Sequence, residues 1–262
     1  MEPTLYGRAL RKLAVTVSDD LRQGMQEIEF LTDPTAGEVR IGCNETTTAG
    51  LVAAAIHRLS RHYPRLTFHM LLGNSDVLQL QSLRERKCDL VVARRVVPQP
   101  DLDAEVLFHE RLHVWASPHS KWLGRRKIGL TELVDEPWIL SPFDVQPGAP
   151  LFEAFRAAGL PVPSPRIIST SFALRNTLVA TGHYLTLIPG SMLEFGPKPS
   201  PINVLPIVLP RWRSPTAIVT LKNRTLSPVA LLLIGCIREL AAPLAKREKS
   251  IVARAAPVMP AK

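Results

Sequence analysis

The chain has 262 residues, with 32 Lys and Arg against 23 Asp and Glu, a formal net charge of +9, and 46% hydrophobic residues. It is long enough to bury one large core or two smaller ones, and on sequence no apolar run approaches a membrane span and no secretory hydrophobic region opens it, so the expected compartment is the cytoplasm. The basic excess is scattered or gathered in the tail after Arg238, which reads as solvated surface able to attract nucleic acid without reading its sequence.

The first element is a helix. Leu10, Ala14, Val17, Leu21, Gly24, Ile28 and Leu31 recur at alternating spacings of four and three, a heptad seam suited to packing against a partner helix. Asp33-Pro34-Thr35-Ala36-Gly37 then predicts a break. From Glu38 onward strands and helices alternate. Val39 to Gly42 reads as a strand, Val52 to Leu59 as one helix face, Leu66 to Leu72 as a strand, and Asn74-Ser75-Asp76 as the cap of a helix ending near Arg86. Leu90 to Ala93 is continuously apolar, as in a parallel strand covered on both faces. The resulting β-α-β-α-β unit predicts a parallel sheet.

A comparable unit follows. Glu105 to Phe108, Leu112 to Ala116, Pro137 to Leu140, Arg166 to Ser169, Tyr184 to Ile188 and Ala217 to Leu221 read as strands. Ala149 to Ala158 and Ser171 to Thr181 read as helices, and Val229, Leu232, Leu233, Cys236 and Leu240 mark a final amphipathic one. Residues 249–262, rich in Ala, Pro and Val, are expected to be disordered. The fold class is therefore α/β, in two lobes preceded by a long helix.

His109-Glu110-Arg111-Leu112-His113 is a literal H-E-x-x-H. Zinc chemistry needs that motif on a helix, which stacks both imidazoles on one metal. Here the flanking residues alternate at period two, and one extended strand would hold the two His about 13 Å apart. A metal hydrolase remains a reading only if the segment is helical. Cys43, Cys88 and Cys236 are far apart and without zinc spacing, so they read as small core hydrophobes. No nucleophile elbow, phosphate loop or dinucleotide fingerprint occurs, and neither catalysis, a metal nor a cofactor is expected.

Several segments together resemble one family. Thr4 to Leu10 is similar to the motif that ends the winged helix-turn-helix of LysR-type transcriptional regulators, and the seam helix to their dimerising linker helix. Gly37 to Gly42, Arg61-His62-Tyr63-Pro64-Arg65-Leu66, Leu83 to Leu90, Leu133 to Ile139 and Leu178 to Pro189 resemble the hallmarks of their effector-binding domain. Two positions depart from the pattern: Arg86 stands where glycine is common, and Tyr184 where a small residue is usual.

The resemblance implies Rossmann-like lobes of the periplasmic-binding-protein type II kind. Residues 1–34 would be the end of the winged-helix motif and the linker helix, 37–113 with 225–248 the first lobe, and 114–224 the second. It also implies a homodimer or tetramer, with Leu10, Val17, Leu21, Ile28 and Leu31 in the seam. DNA would be read only through a domain expected to precede Thr4. The effector would be a small organic acid or aromatic metabolite bound between lobes, at Asn44, Glu45, Thr46 and Thr47 on one side and Ser169, Thr170 and Ser171 on the other. Ser141, Phe143 and Gln146 would form the rim, and Arg94 or Arg95 would supply charge. Hydroxyls and free N–H groups at helix starts suit anions, although Glu45 in the first turn suits a polar or cationic group better. The alternative is a periplasmic-type solute-binding protein, which shares the two-lobed plan.

Overall fold

A computed structural model describes residues 4–73, 75–94, 98–196, 203–210 and 215–255. In chain order the helices are α1 (Leu5–Thr32), α2 (Glu45–Thr47), α3 (Ala53–His62), α4 (Asp76–Arg84), α5 (Pro150–Ala157), α6 (Phe172–Ala180), α7 (Gly190–Phe195) and α8 (Pro228–Ala255). The strands are β1 (Ala36–Cys43), β2 (Arg65–Leu72), β3 (Leu90–Ala93), β4 (Leu102–His109), β5 (Leu112–Ala116), β6 (Ile139–Leu140), β7 (Ile167–Ile168), β8 (Leu185–Pro189), β9 (Asn203–Val204) and β10 (Pro215–Leu221). They form two compact units: residues 1–44, 51–108 and 216–262, and residues 45–50 with 109–215.

The first unit is a five-stranded sheet in the order β2-β1-β3-β10-β4. The predicted β-α-β-α-β run is its parallel half: β1 pairs in parallel with β2 and with β3, and β10 returns antiparallel beside β3. All four residues of β3 are buried, as a strand covered on both faces requires. Leu80 and Leu83 of α4 close one face over Cys88, Val91 and Val219, and α8 packs on β1 and α3. Gly37, inside β1, has φ +139, and a Cβ there would come within 2.7 Å of Val229 Cγ2. Only glycine suits that close approach. The expected break shrinks accordingly to residues 33–35, with the Asp33 carboxylate accepting the Thr35 N–H and O–H at 3.1 and 2.7 Å.

In the second unit, β5 lies antiparallel between β8 and β9, and β6 pairs in parallel with β7. A bridge from Trp138 to Leu185 and the Thr186 Oγ1 bond to the Ile139 carbonyl (2.7 Å) set β6 beside β8. Trp138 and Phe155 are fully buried in its core, and the Trp138 indole N–H donates to the Leu133 carbonyl at 2.9 Å.

The structure departs from the sequence reading in five places. Residues 45–50 cluster with the second unit although they follow β1 directly, and the boundary drawn after residue 113 falls after Phe108, so β5 is wholly in the second unit. Residues 216–224, drawn in the second lobe, form most of β10 in the first unit's sheet. Helix α8 runs to Ala255, past Lys249 where disorder was expected. Residues 246–255 include Ala, Arg, Lys and Glu, which favour helix; residues 256–262 lie outside the described ones. Finally, residues 228–247 are long and apolar enough to cross a membrane, contrary to the reading of the composition. Val229, Ala230, Leu233, Ile234, Cys236, Ile237 and Ala241 of this stretch are buried in the first unit, so it is the apolar face of a core helix.

Candidate functional site

In the first unit the parallel strands β1 and β3 are neighbours, with Cys43 opposite Val92. Asn44 and Arg94 follow them, each half-buried, so two of the predicted site residues share one end of the sheet. That is where ligands bind in open α/β sheets. Arg95 lies outside the described residues.

The other predicted residues belong to the second unit. Helix α6 is N-capped by Ser171, whose hydroxyl accepts the Leu174 N–H at 3.3 Å, and Ser169 Oγ accepts the Ser171 N–H at 3.1 Å. Thr170 is exposed between them. The Glu45 carboxylate accepts the N–H of Phe172, the first residue of α6. The two hydroxyl-rich turns, expected on opposite lobes, therefore meet inside one unit. This revises the simple anion site: at least one free donor at the α6 start is already taken by the chain's own carboxylate, which the positive end of the helix dipole favours. Thr46 and Thr47 are buried and Glu45 half-buried.

Ser141 and Ser169 follow the paired strands β6 and β7, and the Ser169 N–H donates to the Leu140 carbonyl at 2.9 Å. Ser141 donates both its N–H and its hydroxyl to Asp144 Oδ2, at 2.9 and 2.7 Å, so its turn is fixed by its own aspartate. Phe143 is half-buried in that turn and Gln146 is exposed beyond it. Trp115 and Arg175, not singled out on sequence, lie beside Phe172. The ring of Phe172 is 6.3 Å from that of Trp115, and the Arg175 guanidinium sits 5.8 Å from the Phe172 ring. Arg175 is buried and donates to the Leu187 carbonyl at 3.5 Å. Its only sequence signal is that it is the one charged residue between Phe172 and Ala180.

The seam of α1 faces outward. Leu10, Val17, Leu21, Ile28 and Leu31 are all at least 58% exposed, while Asp19, Gln23 and Gln26 are buried against the first unit. This helix hides its polar face and shows its apolar one. Asp19 and Asp89 sit among Arg22, Arg40, Arg86 and Arg224 at 2.7–3.4 Å. Asp89 also accepts the Arg40 backbone N–H at 2.8 Å, tying the start of β3 to β1. That is the local work of the aspartate in the Leu83 to Leu90 motif. Arg86, at the glycine-like position of the motif, has φ +55, in the left-handed region where glycine is unstrained.

His109 ends β4 and Leu112 starts β5, so H-E-x-x-H spans two strands and the residues between them, not a helix. Glu110 is buried and accepts from Ser191. Burial, then the charge of Arg111, lowers the pKa of His113. Among the described residues no group of three or more His, Cys, Asp or Glu is arranged to hold a metal ion. None of the three cysteines is in a disulfide and all three are buried; burial, with the neighbouring charge of Asp89, pushes the Cys88 thiol up to about 12, which keeps it protonated.

Each of the two α/β units carries polar turns at its strand ends, the position at which open α/β sheets take ligands. The sequence profile of the LysR substrate binding domain matches residues 32–242, and the chain belongs to this family. It is similar to the HTH-type transcriptional regulator GbpR of Azospirillum brasilense, 27% identical over 245 residues that cover 91% of this chain and 70% of GbpR. Its fold is like that of HinK, a LysR family transcriptional regulator from Pseudomonas aeruginosa (TM-score 0.62, 23% identity, 93% of this chain and 82% of that one). It is also like the effector binding domain of BenM with its effector benzoate (TM-score 0.58, 23% identity, 79% of this chain and 92% of that one).

Proposed function

We propose that this chain senses a small organic molecule and passes its binding to transcription as a non-catalytic, homodimeric module of a cytoplasmic regulator. The supporting observation is the meeting of the Glu45 to Thr47 turn with the Ser169 to Ser171 turn at the start of α6. Backbone and hydroxyl groups at a helix start, with aromatic rings behind them, fit an aromatic or small acidic ligand, and benzoate is the effector of BenM. An acid must compete with Glu45 for the Phe172 N–H, so a ligand that also offers a hydrogen-bond donor to Glu45 fits better than a bare carboxylate.

Binding controls a regulator only if the ligand prefers one of two arrangements of the protein. The outward stripe of α1 gives such a change somewhere to act. It borders a groove of about 510 Å³ between α1 and the β1–β2 edge, lined by Leu21, Met25, Gln26, Glu38 and Thr67, and a second copy's α1 would cover both. Operator reading belongs to the helix-turn-helix part after which relatives such as GbpR are named, not to these residues.

Thermal-shift screening against small metabolites, starting with benzoate, followed by calorimetric titration of the best ligand, tests the reading. Thr46→Ala and Thr170→Ala should each weaken binding at least about tenfold, the loss of one or two hydrogen bonds; the melting temperature should change little for the exposed Thr170 and fall for the buried Thr46. Titrations indistinguishable from the unsubstituted protein would reject these turns as the site.

A further inference from the structure

Helix α7 is only six residues long, Gly190–Phe195, yet two separate segments of the second unit, residues 45–50 and the residues after 109, end on it. The effector turn α2 packs on α7. Gly50, the last residue of the 45–50 segment, lies so close that a Cβ built on it would touch Met192 Cα and the Ser191 carbonyl at 3.4 Å. From the other side, the residues just past the 108/109 boundary are tied down. Glu110 Oε2 accepts the Ser191 hydroxyl at 2.6 Å, and Oε1 accepts the Ser191 N–H and the Arg111 N–H at 3.1 Å each. The Gly190 N–H donates to the Arg111 carbonyl at 2.7 Å.

Both Glu110 and Ser191 are buried. A carboxylate out of water holds its place only while its oxygens are filled by donors, so this pair is a fixed geometric reference and not an adjustable surface contact. Chain segments that enter the unit at residue 45 and at residue 109 are thereby referred to one rigid turn.

We infer that Ser191 and Glu110 are positioning residues for the candidate effector site: through α7 they hold the Glu45 to Gly50 turn in register with the Glu110–Arg111 connection, so that a shift of either displaces the other. The inference rests on the reading of that turn as the effector site, but coupling between the two segments is measurable without any ligand. Spatial adjacency alone does not establish coupling; a perturbation at one end has to be read at the other.

Hydrogen exchange by mass spectrometry on the ligand-free full chain provides that reading. In Ser191→Ala, amides in 45–50 and in 110–116 should both exchange at least about tenfold faster, the effect expected of losing a bond of about 1.4 kcal/mol, while 36–43 in β1 stays unchanged. Ser191→Thr, which keeps the hydroxyl, should restore both segments. Glu110→Gln, which puts an NH₂ where an acceptor is required, should loosen the same two segments and provides the measurement if Ser191→Ala does not fold. Acceleration confined to 110–116, or failure of Ser191→Thr to restore 45–50, overturns the coupling. A metabolite screen without a hit would count against the effector reading alone and leave this result standing.

Discussion

Asp19 and Arg224 stand 205 positions apart in sequence and are joined by two hydrogen bonds of 2.8 Å, Nε to Oδ2 and Nη2 to Oδ1, with both side chains almost wholly out of solvent. The planar guanidinium fork matches the carboxylate, and no other side chain offers that geometry. Its remaining donors reach Asp89 Oδ1 at 2.8 Å and the Cys88 carbonyl at 2.7 Å. The arginine therefore pins α1, the end of α4's loop and the β10 turn to one another.

Removing one member of such a pair leaves a buried charge without its partner, which typically costs about 3–5 kcal/mol. Arg224→Ala should lower unfolding free energy by about 3 kcal/mol in urea titration. A loss below about 1 kcal/mol would mean that Arg22, Arg40 and Arg86 neutralise Asp19 and Asp89 unaided.

The same cluster predicts an acid limit. Burial alone would raise the pKa of Asp19, but hydrogen bonds from Arg224, Arg22 and Arg86 outweigh it and hold the carboxyl at about 2, against 3.8 ordinarily. Asp89 is displaced in the same direction. Because the folded value is depressed, the stabilisation is complete above about pH 4 and is lost as pH falls from 4 towards 2; for Asp19 it amounts to about 2 kcal/mol. Chemical denaturation at pH 5 and pH 3 should show this loss in the natural sequence and a smaller one in Asp19→Asn. Equal slopes in the two proteins would assign the acid sensitivity elsewhere.

Arg86 sets two effects against each other. Its backbone is left-handed at φ +55, which costs a non-glycine residue about 1 kcal/mol, while its guanidinium reaches Asp19 at 2.7 Å and Asp20 at 3.0 Å. Arg86→Ala loses the ion pairs and keeps the backbone cost; Arg86→Gly loses the pairs and removes it. The glycine variant should be the more stable by about 1 kcal/mol, and a melting comparison in which alanine equals or exceeds glycine would show that the backbone cost is negligible.

Leu21 and Ile28 are each 66% exposed on α1. Changing both to Asp should leave the fold of one copy intact, because neither side chain is in a core, and should halve the mass seen by sedimentation if this stripe joins two copies. An unchanged oligomer after the double substitution would place the interface on another face.

Two elements were legible from local burial: α3 because one face of it is buried and marks a helical period, and β3 because all four of its residues are buried and read as a continuous apolar run. The caps were legible too: Ser75 and Ser171 bond the backbone three residues on, a rule written within a single turn. Helix α7 was missed because Gly190 to Phe195 is too short for a helical period and follows directly on Pro189. The joining of Glu45 to Phe172 spans 127 positions, and nothing near either residue announces it. Arg86 was visible only as an oddity; its left-handed backbone explains why glycine suits the position, and its partners Asp19 and Asp20 explain what arginine gains there. The H-E-x-x-H letters misdirect for the opposite reason, since the spacing says nothing of whether the intervening backbone is coiled or extended.

The family profile begins at residue 32, but the ionic cluster begins at Asp19. A fragment started at Thr32 would strip Arg224 of its bidentate partner, take both carboxylate partners from Arg86, and leave Arg40 and Arg224 around Asp89 alone, open to water along the face that α1 had covered. The helix that looks like a tether is thus a lid on the charged floor of the first unit, and the contacts that hold this unit together extend past the stretch that the family profile matches.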